Sequence, residues 1–408
     1  MYRPRCRQAG QHSLAKILLV TVLAVPAAAA CGRTPGLPSQ AYNLQLTSVS
    51  CITINSCEAV GSYMTSSGSG VAGTPIAGHW DGTRWEIQTM GTPPGGSMPY
   101  LSSLSCASAN SCEAVGLYNR GKTLVPLAER WDGTSWMLQR TGIKQTNEAL
   151  VQVSCTTPDR CEAVGNRGAR QIIAGRWDGT SWVTQQLPSP NPPTSSITWA
   201  GLSCANANAC EAVGVDTGRT GSRQLLAERW DGTRWAAQTM PAPQGGDYVY
   251  PSGVSCVTPD RCETVGTVTN NIGYRQAFAE RWDGRTWQLQ PAQIITPSEQ
   301  TMVFVNGVSC YDADFCEAVG YYGSANTSAA VAGTFRWDGT RWAWQTIAAT
   351  PRSQGENPIS ISCPGVNNCE IVGLVLSGGS GDRTKMLAGK WDNQTWHRQP
   401  VPTGNGGA

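Results

Sequence analysis

The feature that most constrains this chain is a pattern that occurs seven times along it. Each copy reads Ser-Cys-x5-Cys-Glu-x-Val-Gly, followed after a gap of variable length by a basic residue and then Trp-Asp-x-x-x-Trp. The first cysteines of successive copies are on average about 52 residues apart, and a period of this size is typical of repeat proteins whose units pack against one another. One unit, copied seven times, therefore accounts for most of the fold.

Fourteen of the sixteen cysteines and fourteen of the sixteen tryptophans belong to these copies. The cysteine pairs are Cys51/Cys57, Cys106/Cys112, Cys155/Cys161, Cys204/Cys210, Cys256/Cys262, Cys310/Cys316 and Cys363/Cys369. The tryptophan pairs are Trp80/Trp85, Trp131/Trp136, Trp177/Trp182, Trp230/Trp235, Trp282/Trp287, Trp337/Trp342 and Trp391/Trp396.

Turn chemistry divides each copy into four strands, as the second copy shows. Residues 103–106 and 112–116 form a hairpin in which the two cysteines face each other across a polar loop. A third strand over 127–131 turns at an Asp-Gly step, which supplies positive φ angles, into a fourth over 136–139. One such sheet cannot bury its own faces, whereas seven arranged radially close a ring. We therefore predict an all-β fold: a seven-bladed β-propeller of four-stranded antiparallel blades with one disulfide per blade.

The run Glu-Arg-Trp-Asp-Gly-Thr-Ser-Trp at 129–136, which follows a Val-Gly step, resembles the kelch repeat. It departs from that repeat in having Val-Gly instead of Gly-Gly and in carrying the cysteine pair. The resemblance implies a propeller, and either a binding scaffold or a copper oxidase. The copies are also similar to secreted Cys-x5-Cys, Trp-Asp-Gly repeat proteins of actinobacteria, a group without a defined activity. The Asp-Gly-Thr-x-Trp turn resembles the Asp-box of sialidases, without the residue that separates Asp from Gly there.

The N-terminal residues 1–30 have the three parts of a secretory signal peptide: a basic stretch, an apolar run over 17–25 and small residues before Cys31. The apolar run is shorter than the roughly 20 residues of a membrane-spanning helix. The junction at Cys31 resembles a bacterial lipobox, although Ala28 stands where that motif usually has Leu. Cys6 leaves with the signal, so Cys31 would be a lone thiol unless it is acylated. We expect a lipid anchor on Cys31 at the outer side of the cell membrane, with plain secretion as the alternative.

The domain boundaries follow from these patterns. Residues 31–46 are predicted to be a tether, 47–402 the propeller and 403–408 a disordered tail. The repeats are predicted to start near residues 47, 102, 151, 200, 252, 306 and 359.

The seven cysteine pairs are expected to be disulfides, because an exported chain matures in an oxidising compartment. Zinc binding is the rival interpretation, but isolated pairs do not form four-ligand sites, and His12, His79 and His397 give no systematic partners. Each bridge closes a short loop, which is worth about 2 kcal/mol on the chain-entropy estimate. We predict no metal and no cofactor.

Two further columns of charged residues run through the copies. A glutamate follows every second cysteine: Glu58, Glu113, Glu162, Glu211, Glu263, Glu317 and Glu370. A basic residue precedes every first tryptophan: His79, Arg130, Arg176, Arg229, Arg281, Arg336 and Lys390. A ring of catalytic or metal-binding carboxylates is one interpretation of the first column. Cross-strand ion pairs between the second and third strands explain both columns as structure, and we favour them. Likewise, the Asp residues are expected to form turns and the Trp residues to pack between blades.

Function is expected where the copies differ. The predicted connections between blades hold the aromatic residues Tyr100, Trp199, Tyr248, Tyr250 and Phe304, which could stack on sugar rings or grip a protein. The plainer interpretation is that they cover the ends of the innermost strands. A net charge of +2 gives no strong positive field, so we predict no nucleic-acid partner.

The sequence thus predicts a monomeric, non-enzymatic binding or scaffolding propeller outside the cytoplasm that engages a glycan or an extracellular protein. No catalytic residues are assigned. A glycoside hydrolase, with Asp247 or Glu299 as candidate acids, or a kelch-type oxidase is the enzymatic alternative, and a purely structural envelope lipoprotein is the third.

Overall fold

A computed structural model describes residues 36–67, 70–142, 147–188, 196–243, 248–269, 273–290, 301–324, 330–351, 353–377, 383–392 and 394–403. Within these residues the chain forms seven four-stranded antiparallel sheets, and each sheet consists of four strands that follow one another in the sequence. The predicted seven-bladed propeller is therefore confirmed.

Each blade takes its strands in chain order. Blade 1 holds β1 (Tyr42–Thr53), β2 (Ser56–Ser67), β3 (Gly70–Trp80) and β4 (Trp85–Thr89); blade 2 holds β5 (Ser97–Ser108), β6 (Ser111–Arg120), β7 (Thr123–Trp131) and β8 (Trp136–Leu138). Blade 3 holds β9 (Glu148–Thr157), β10 (Arg160–Arg167), β11 (Gln171–Trp177) and β12 (Trp182–Gln185); blade 4 holds β13 (Ser196–Asn206), β14 (Ala209–Thr217), β15 (Arg223–Trp230) and β16 (Trp235–Gln238). Blade 5 holds β17 (Tyr248–Thr258), β18 (Arg261–Thr269), β19 (Arg275–Trp282) and β20 (Trp287–Leu289); blade 6 holds β21 (Thr301–Asp312), β22 (Phe315–Ser324), β23 (Ala330–Trp337) and β24 (Trp342–Thr346). Blade 7 holds β25 (Ser353–Gly365), β26 (Asn368–Ser377), β27 (Arg383–Trp391) and β28 (Trp396–Arg398).

The four strands of the second copy lie where they were predicted. The first three are longer than predicted, because they extend further at the end that lies away from the cysteine loop. β5 covers Ser97–Ser108 and β6 covers Ser111–Arg120, where the sequence predicted 103–106 and 112–116. In blade 1 the first strand begins at Tyr42, ahead of the predicted start near residue 47. The polar, glycine-rich stretches that looked like connections continue the ladders, because neighbouring strands supply their backbone partners.

A β-bulge in each first strand explains the glycine of the Val-Gly step. In blade 2 the register shifts between Leu101 and Ser103. A Cβ atom on Gly116 in the next strand would lie 1.9 Å from the carbonyl oxygen of Tyr100. The equivalent glycines of blades 1 and 3 meet a backbone oxygen at 2.0 and 1.9 Å. Only glycine allows the backbone to approach this closely.

All seven cysteine pairs form disulfides, and each links the first and second strands of one blade. The second cysteine lies opposite the first tryptophan of its blade in the strand register, as Cys112 does opposite Trp131, and the two tryptophans lie opposite each other. The disulfide and the Trp pair therefore share one face of the sheet. Seven disulfides indicate an oxidising, extracellular environment.

The serine of every Ser-Cys step joins its blade to the next one. Its Oγ accepts a hydrogen bond from the backbone N–H of the first cysteine in the following blade, at distances such as 3.0 Å for Ser50 and Cys106. The further pairs are Ser105/Cys155, Ser154/Cys204, Ser203/Cys256, Ser255/Cys310, Ser309/Cys363 and Ser362/Cys51. The last of these joins blade 7 to blade 1, so the series runs once around the ring and closes it.

The second tryptophan of each blade makes a parallel set of links. Trp136 Nε1 donates to Gln88 Oε1 of blade 1 at 2.7 Å, and Trp85 Nε1 of blade 1 donates to Gln399 Oε1 of blade 7 at 2.8 Å. Blade 7 varies the scheme, because Trp396 donates to Thr334 Oγ1 at 3.2 Å. The tryptophans therefore pack between blades, as predicted.

Two faces of the ring follow from the antiparallel order. The cysteine loops and the Asp-Gly turns leave from one end of the sheets, which we call the turn face. The connections between second and third strands and those between blades leave from the other end, the connection face. Residues 1–35, which include the predicted signal peptide and Cys31, and residues 404–408 lie outside the described residues. No helix in the part of the chain that the structure describes is long and apolar enough to cross a membrane.

Candidate functional site

The second cysteine of every predicted disulfide is a core residue. Their exposed fractions are at most 3%, whereas the first cysteines are half-buried, apart from Cys363, which is 6% exposed. The reason is packing: the second cysteine of each pair lies in a hydrophobic cluster together with tryptophans of its own blade. These buried cysteines are Cys57, Cys112, Cys161, Cys210, Cys262, Cys316 and Cys369.

The neighbouring blade supplies part of this cover. Cys161 of blade 3 shares its cluster with Val115 and Ala128 of blade 2, and Cys210 of blade 4 shares its cluster with Val164 of blade 3. Cys57 of blade 1 likewise packs in one cluster with Met386 of blade 7. The disulfides are therefore confirmed as bonds, and their role is to stabilise the frame.

The glutamate and basic columns form ion pairs between the second and third strands. Arg130 contacts Glu113 at 2.5 Å, Arg176 contacts Glu162 at 2.6 Å and Arg281 contacts Glu263 at 3.0 Å. The pairs Glu211/Arg229 and Glu317/Arg336 are also in contact, and His79 Nδ1 lies 2.8 Å from Glu58. In blade 7, Lys390 is opposite Glu370 in the register, and its Nζ lies 3.5 Å from Asn55 Oδ1.

The same arginines also reach the next blade. The guanidinium carbon of Arg130 lies 5.4 Å from the centroid of the Trp177 ring, and Arg176 lies 4.3 Å from the ring of Trp230. Arg130 Nη2 further donates to the carbonyl oxygen of Pro158 at 2.9 Å. The columns are thus part of the frame: Glu113 is fully buried between blades, which leaves no room for a substrate.

Three glutamates outside these columns are buried without a basic partner in the described residues. Glu129, Glu228 and Glu280 each stand two residues before the first tryptophan of their blade and are at most 1% exposed. Glu129 accepts a hydrogen bond from Gly91 N–H at 2.8 Å, while both carboxylate oxygens of Glu280 lack any partner. Burial raises the pKa of Glu228 and of Glu280 to about 8.

These three residues do not stand out in the sequence, because the columns of charged residues that predict structure occur in all seven copies. The sequence does distinguish them in one way, because only three of the seven copies have Glu at this position.

The Asp residues of the Trp-Asp steps form turns. Asp132 Oδ1 accepts hydrogen bonds from the backbone N–H of Thr134 and Ser135, both at 2.8 Å, and from Thr134 Oγ1 at 2.7 Å. These donors lower the pKa of the Asp132 carboxyl group. A carboxylate held in this way is suited to closing a turn and poorly suited to donating a proton.

The five aromatic residues singled out from the sequence lie within the first strands of their blades, and not in the connections as predicted. Tyr100 belongs to β5, Trp199 to β13, Tyr248 and Tyr250 to β17, and Phe304 to β21. The reason is the extension of these strands toward the connection face.

Their exposure differs. Trp199 is only 5% exposed and its Nε1 donates to the carbonyl oxygen of Gly165 at 3.0 Å, so it belongs to the packing between blades 3 and 4. Tyr100 and Tyr248 are 39% and 48% exposed, and Tyr250 and Phe304 are half-buried.

Two of the five form a cluster that the sequence did not reveal. The guanidinium carbon of Arg223, in blade 4, lies 4.4 Å from the ring centroid of Tyr250 in blade 5. Arg275 lies 4.9 Å from the same ring and 4.6 Å from the ring of Phe304 in blade 6. Phe304 in turn stacks on Tyr321, with centroids 4.7 Å apart and planes 13° apart. We call these five residues the arginine–aromatic row; Tyr100, in blade 2, is not part of it.

A cavity of about 250 Å³ opens beside this row. Its lining includes Thr198, Trp199, Arg223, Tyr250, Ser252 and Asn306, from the first strands of blades 4 to 6 and from β15. Trp199 and Tyr250, which the sequence grouped, therefore do line one cavity, although Trp199 offers it little surface.

A larger cavity of about 420 Å³ lies where blade 7 meets blade 1. Tyr42, Leu44, Met386 and Val401 line it, and Arg398 beside it is paired with Glu356. Both ends of the described chain border this cavity, so it is a feature of the closing joint.

The remaining predicted candidates give no site. Asp247 and Glu299 lie outside the described residues. Among the residues that the structure does describe, no group of three or more His, Cys, Asp or Glu side chains is placed to hold a metal ion.

Comparison with known proteins finds likeness in fold alone. No protein-family model matches the chain, and no curated relative matches it. The β-propeller domain of the trilobed protease from Pyrococcus furiosus, which has an open velcro topology, superposes with a TM-score of 0.54 at 10% identity, over 90% of this chain and 99% of that one. The GH74 xyloglucanase from Xanthomonas campestris gives 0.53 at 12% identity, over 91% of this chain and 56% of that chain.

A lectin of Aleuria aurantia with a six-bladed propeller and a fucose recognition mode gives 0.46 at 13% identity, over 75% of this chain and 96% of that one. The first two likenesses agree with the propeller fold, and the third is too low to support an argument. The resemblance to kelch repeats stays a prediction.

Proposed function

We propose that this chain is an exported binding propeller whose ligand contacts the arginine–aromatic row on the connection face. The observation that carries the proposal is that the row is built from departures from the repeat. Tyr250 and Phe304 stand six residues before the first cysteine of their blades, where blade 2 has Tyr100 and blades 1, 3, 4 and 7 have Gln45, Ala149, Thr198 and Asn357. The frame does not require an aromatic residue there.

The arginines of the row follow the same logic. Arg223 and Arg275 stand seven residues before the first tryptophan of their blades, where blade 3 has Arg170 and blades 1, 2, 6 and 7 have Gly73, Leu124, Ala330 and Thr384. An arginine in one blade thus meets an aromatic ring in the next, twice in succession. Aromatic and arginine side chains are enriched among the residues that dominate binding energies.

The location outside the cytoplasm is part of the proposal. Seven disulfides favour an oxidising compartment, and residues 1–30 have the pattern of a signal peptide. We propose that Cys31 is lipidated and that the mature protein acts as a monomer at the cell surface. A diacylglyceryl adduct in the intact mass of the mature protein is the expected result, and a free Cys31 thiol would contradict the anchor.

The test of function is a binding screen with a matched pair of variants. Immobilised polysaccharides and cell-wall glycans are probed with the wild type, with Tyr250→Ala and with Tyr311→Ala. Tyr311 is 50% exposed and follows Cys310 on the turn face, so it controls for the loss of a surface tyrosine. We expect Tyr250→Ala to weaken glycan binding at least tenfold and Tyr311→Ala to leave it unchanged, with both variants melting as the wild type does. Absence of glycan binding by the wild type, or full binding by Tyr250→Ala, would contradict the proposal.

A further inference from the structure

We infer, resting on the proposed function, that the ligand of the arginine–aromatic row is an acidic polysaccharide whose carboxylate or sulfate groups pair with Arg223 and Arg275. The inference concerns the chemical class of the ligand and comes from the state of these two guanidinium groups. Four features carry it: their contacts with aromatic rings, the absence of a counter-charge among the described residues, their spacing and the polarity of the cavity beside them.

Both guanidinium groups lie over aromatic rings. Arg275 lies within 5 Å of two ring centroids, those of Tyr250 and Phe304, and Arg223 lies 4.4 Å from the ring of Tyr250. Stacking occupies the flat face of guanidinium and leaves its N–H groups at the edge. Those N–H groups form the fork that takes a carboxylate or sulfate through two parallel hydrogen bonds. The rings hold the guanidinium groups in position before a ligand binds.

The counter-charges that neutralise the frame arginines are missing from the row. Arg130, Arg176 and Arg281 each contact the buried glutamate of their own blade. Neither Arg223 nor Arg275 forms an ion pair with any carboxylate in the described part of the chain, since the observed pairs all involve other basic residues.

The nearest acidic residue along β14 is Asp216, which adjoins Thr217, the register partner of Arg223. Burial raises the pKa of the Asp216 carboxyl group and leaves its Oδ1 without a partner. This residue pairs with Gln224 in the register and does not form an ion pair with Arg223. As far as the described residues go, the positive charge of both arginines is therefore left for a ligand.

The spacing suits a polymer that carries repeated acidic groups. Both guanidinium carbons lie within 5 Å of the Tyr250 ring centroid, so they are at most about 10 Å apart. One chain with acidic groups on successive units can meet both.

The cavity favours a sugar over an acidic peptide. Thr198 lines it with a hydroxyl group. Ser252 and Asn306 use their donors within the protein, on Val305 and on Asn357 and Pro358, so their side-chain oxygens can accept hydrogen bonds from sugar hydroxyls. Its volume of about 250 Å³ is below the roughly 300–1,000 Å³ of pockets for drug-sized ligands, a size that suits a single sugar unit. Protein interfaces need an apolar centre, and the one large, exposed apolar side chain that β17 offers is Tyr248.

The experiment uses polymers that differ only in charge. Binding of the full-length mature protein is measured to polygalacturonate and to its carboxyl-reduced form, and to dextran sulfate and to dextran. Poly-glutamate is included as an acidic chain without sugars. The variants are Arg275→Gln, Arg275→Lys, Arg223→Gln and Arg285→Gln. Arg285 is exposed in the Asp283 turn on the turn face, so its loss changes the net charge equally without touching the row.

We expect an acidic polysaccharide to bind at least tenfold more tightly than its neutral counterpart, and binding to weaken as salt rises. Arg275→Gln and Arg223→Gln should each weaken binding at least tenfold, Arg275→Lys should recover part of the loss because it keeps charge without the fork, and Arg285→Gln should change binding less than twofold. Melting temperatures check that each variant is folded.

The outcomes that overturn the inference differ from those that overturn the proposed function. Equal binding of charged and neutral polymers, with loss of binding in Tyr250→Ala, would leave the function standing and refute the acidic ligand. Equal or tighter binding of poly-glutamate would assign the row to acidic peptides and refute the polysaccharide. Binding of no polymer by the wild type would refute both.

Discussion

At the scale of single residues, the repeat places two kinds of glutamate side by side. Glu263 contacts Arg281 at 3.0 Å, whereas neighbouring Glu280 is fully buried with neither oxygen bonded. Burial raises the pKa of both carboxyl groups to about 8, but only Glu280 lacks a cation that would favour its charged form. Blade 6 has Phe335 at the position of Glu280, so the frame tolerates an apolar residue there.

The unpaired Glu280 makes stability depend on pH. Its pKa is about 8 in the folded chain and about 4.3 when unfolded. Between these values the folded state binds more protons, so the free energy of unfolding falls as the pH rises from about 5 to 8. We expect Glu280→Met to raise the melting temperature at pH 8 by about 2 °C or more. The free energy of unfolding of this variant should also fall less steeply as the pH rises from about 5 to 8.

Glu86, which pairs with Arg84 near the surface, gives the control variant Glu86→Gln, for which no change is expected. The measurement is thermal unfolding followed by circular dichroism from pH 5 to 8. A Glu280→Met variant that is less stable than the wild type at pH 8 would show that the carboxylate has a partner in the folded protein.

Residue roles were predictable from the sequence where a chemical constraint repeats. The disulfides, the Glu–Arg pairs and the Asp turns each recur at one spacing, and spacing fixes which strand positions face each other. Trp199 was different, because whether an aromatic residue is exposed depends on the neighbouring blade that covers it. Its indole donates to Gly165 of blade 3, a contact that no local pattern contains.

At the scale of elements, the order and pairing of the four strands followed from turn residues and alternation, but the joint between blades did not. The Ser-Cys serine looked like part of a strand, and its role depends on a cysteine N–H group about 50 residues further along the chain. Long-range partners of this kind are fixed by how the sheets are arranged, and not by local propensity.

The serine joint predicts a measurable cost when the acceptor is removed. Ser154→Ala leaves the Cys204 N–H, which donates to Ser154 Oγ at 3.0 Å, without its acceptor. An unsatisfied buried donor costs about 1–3 kcal/mol. Because this joint is half-buried, we expect a loss toward the lower end of that range and a lower midpoint in urea denaturation.

Ser135 provides the matched serine, since it is exposed in the Asp132 turn, and Ser135→Ala should unfold as the wild type does. Equal stability of the two variants would mean that water satisfies Cys204 and that the joint rests on packing alone.

At the scale of the whole molecule, the ring closes without exchanging a strand. Blade 7 is made of β25 to β28 and blade 1 of β1 to β4. Their joint is made of the serine and tryptophan bonds described above. The Cys51 N–H donates to Ser362 Oγ at 2.9 Å, and Trp85 Nε1 donates to Gln399 Oε1 at 2.8 Å. The sequence predicted seven blades but left the closure open, because the seam depends on the curvature summed over all blades.

Closure of this kind predicts that the order of blades along the chain can be permuted. The ends of the described chain are close, since Tyr42 and Val401 border one cavity. We expect a circular permutant opened between β4 and β5, with residues 403 and 36 joined by a short Gly-Ser linker, to fold with a melting temperature within about 5 °C of the wild type.

A chain that lacks residues 353–403 serves as the comparison, because it loses blade 7 and both closing bonds. It should melt at a clearly lower temperature or aggregate. Failure of the permutant to fold would show that the joint between blades 7 and 1 depends on its natural chain ends.

The serine joint has one further consequence. Each unit carries a donor for the neighbour on one side and an acceptor for the neighbour on the other, and both lie next to the disulfide. Toward the opposite end of the same strands the bonds between blades differ from one joint to the next, such as Trp199 with Gly165 and Ser252 with Val305, so the side chains there are free to diversify. Each of the seven blades therefore presents an equivalent end on the connection face. Residues that bind a new ligand can be introduced in one blade while the other six maintain the fold.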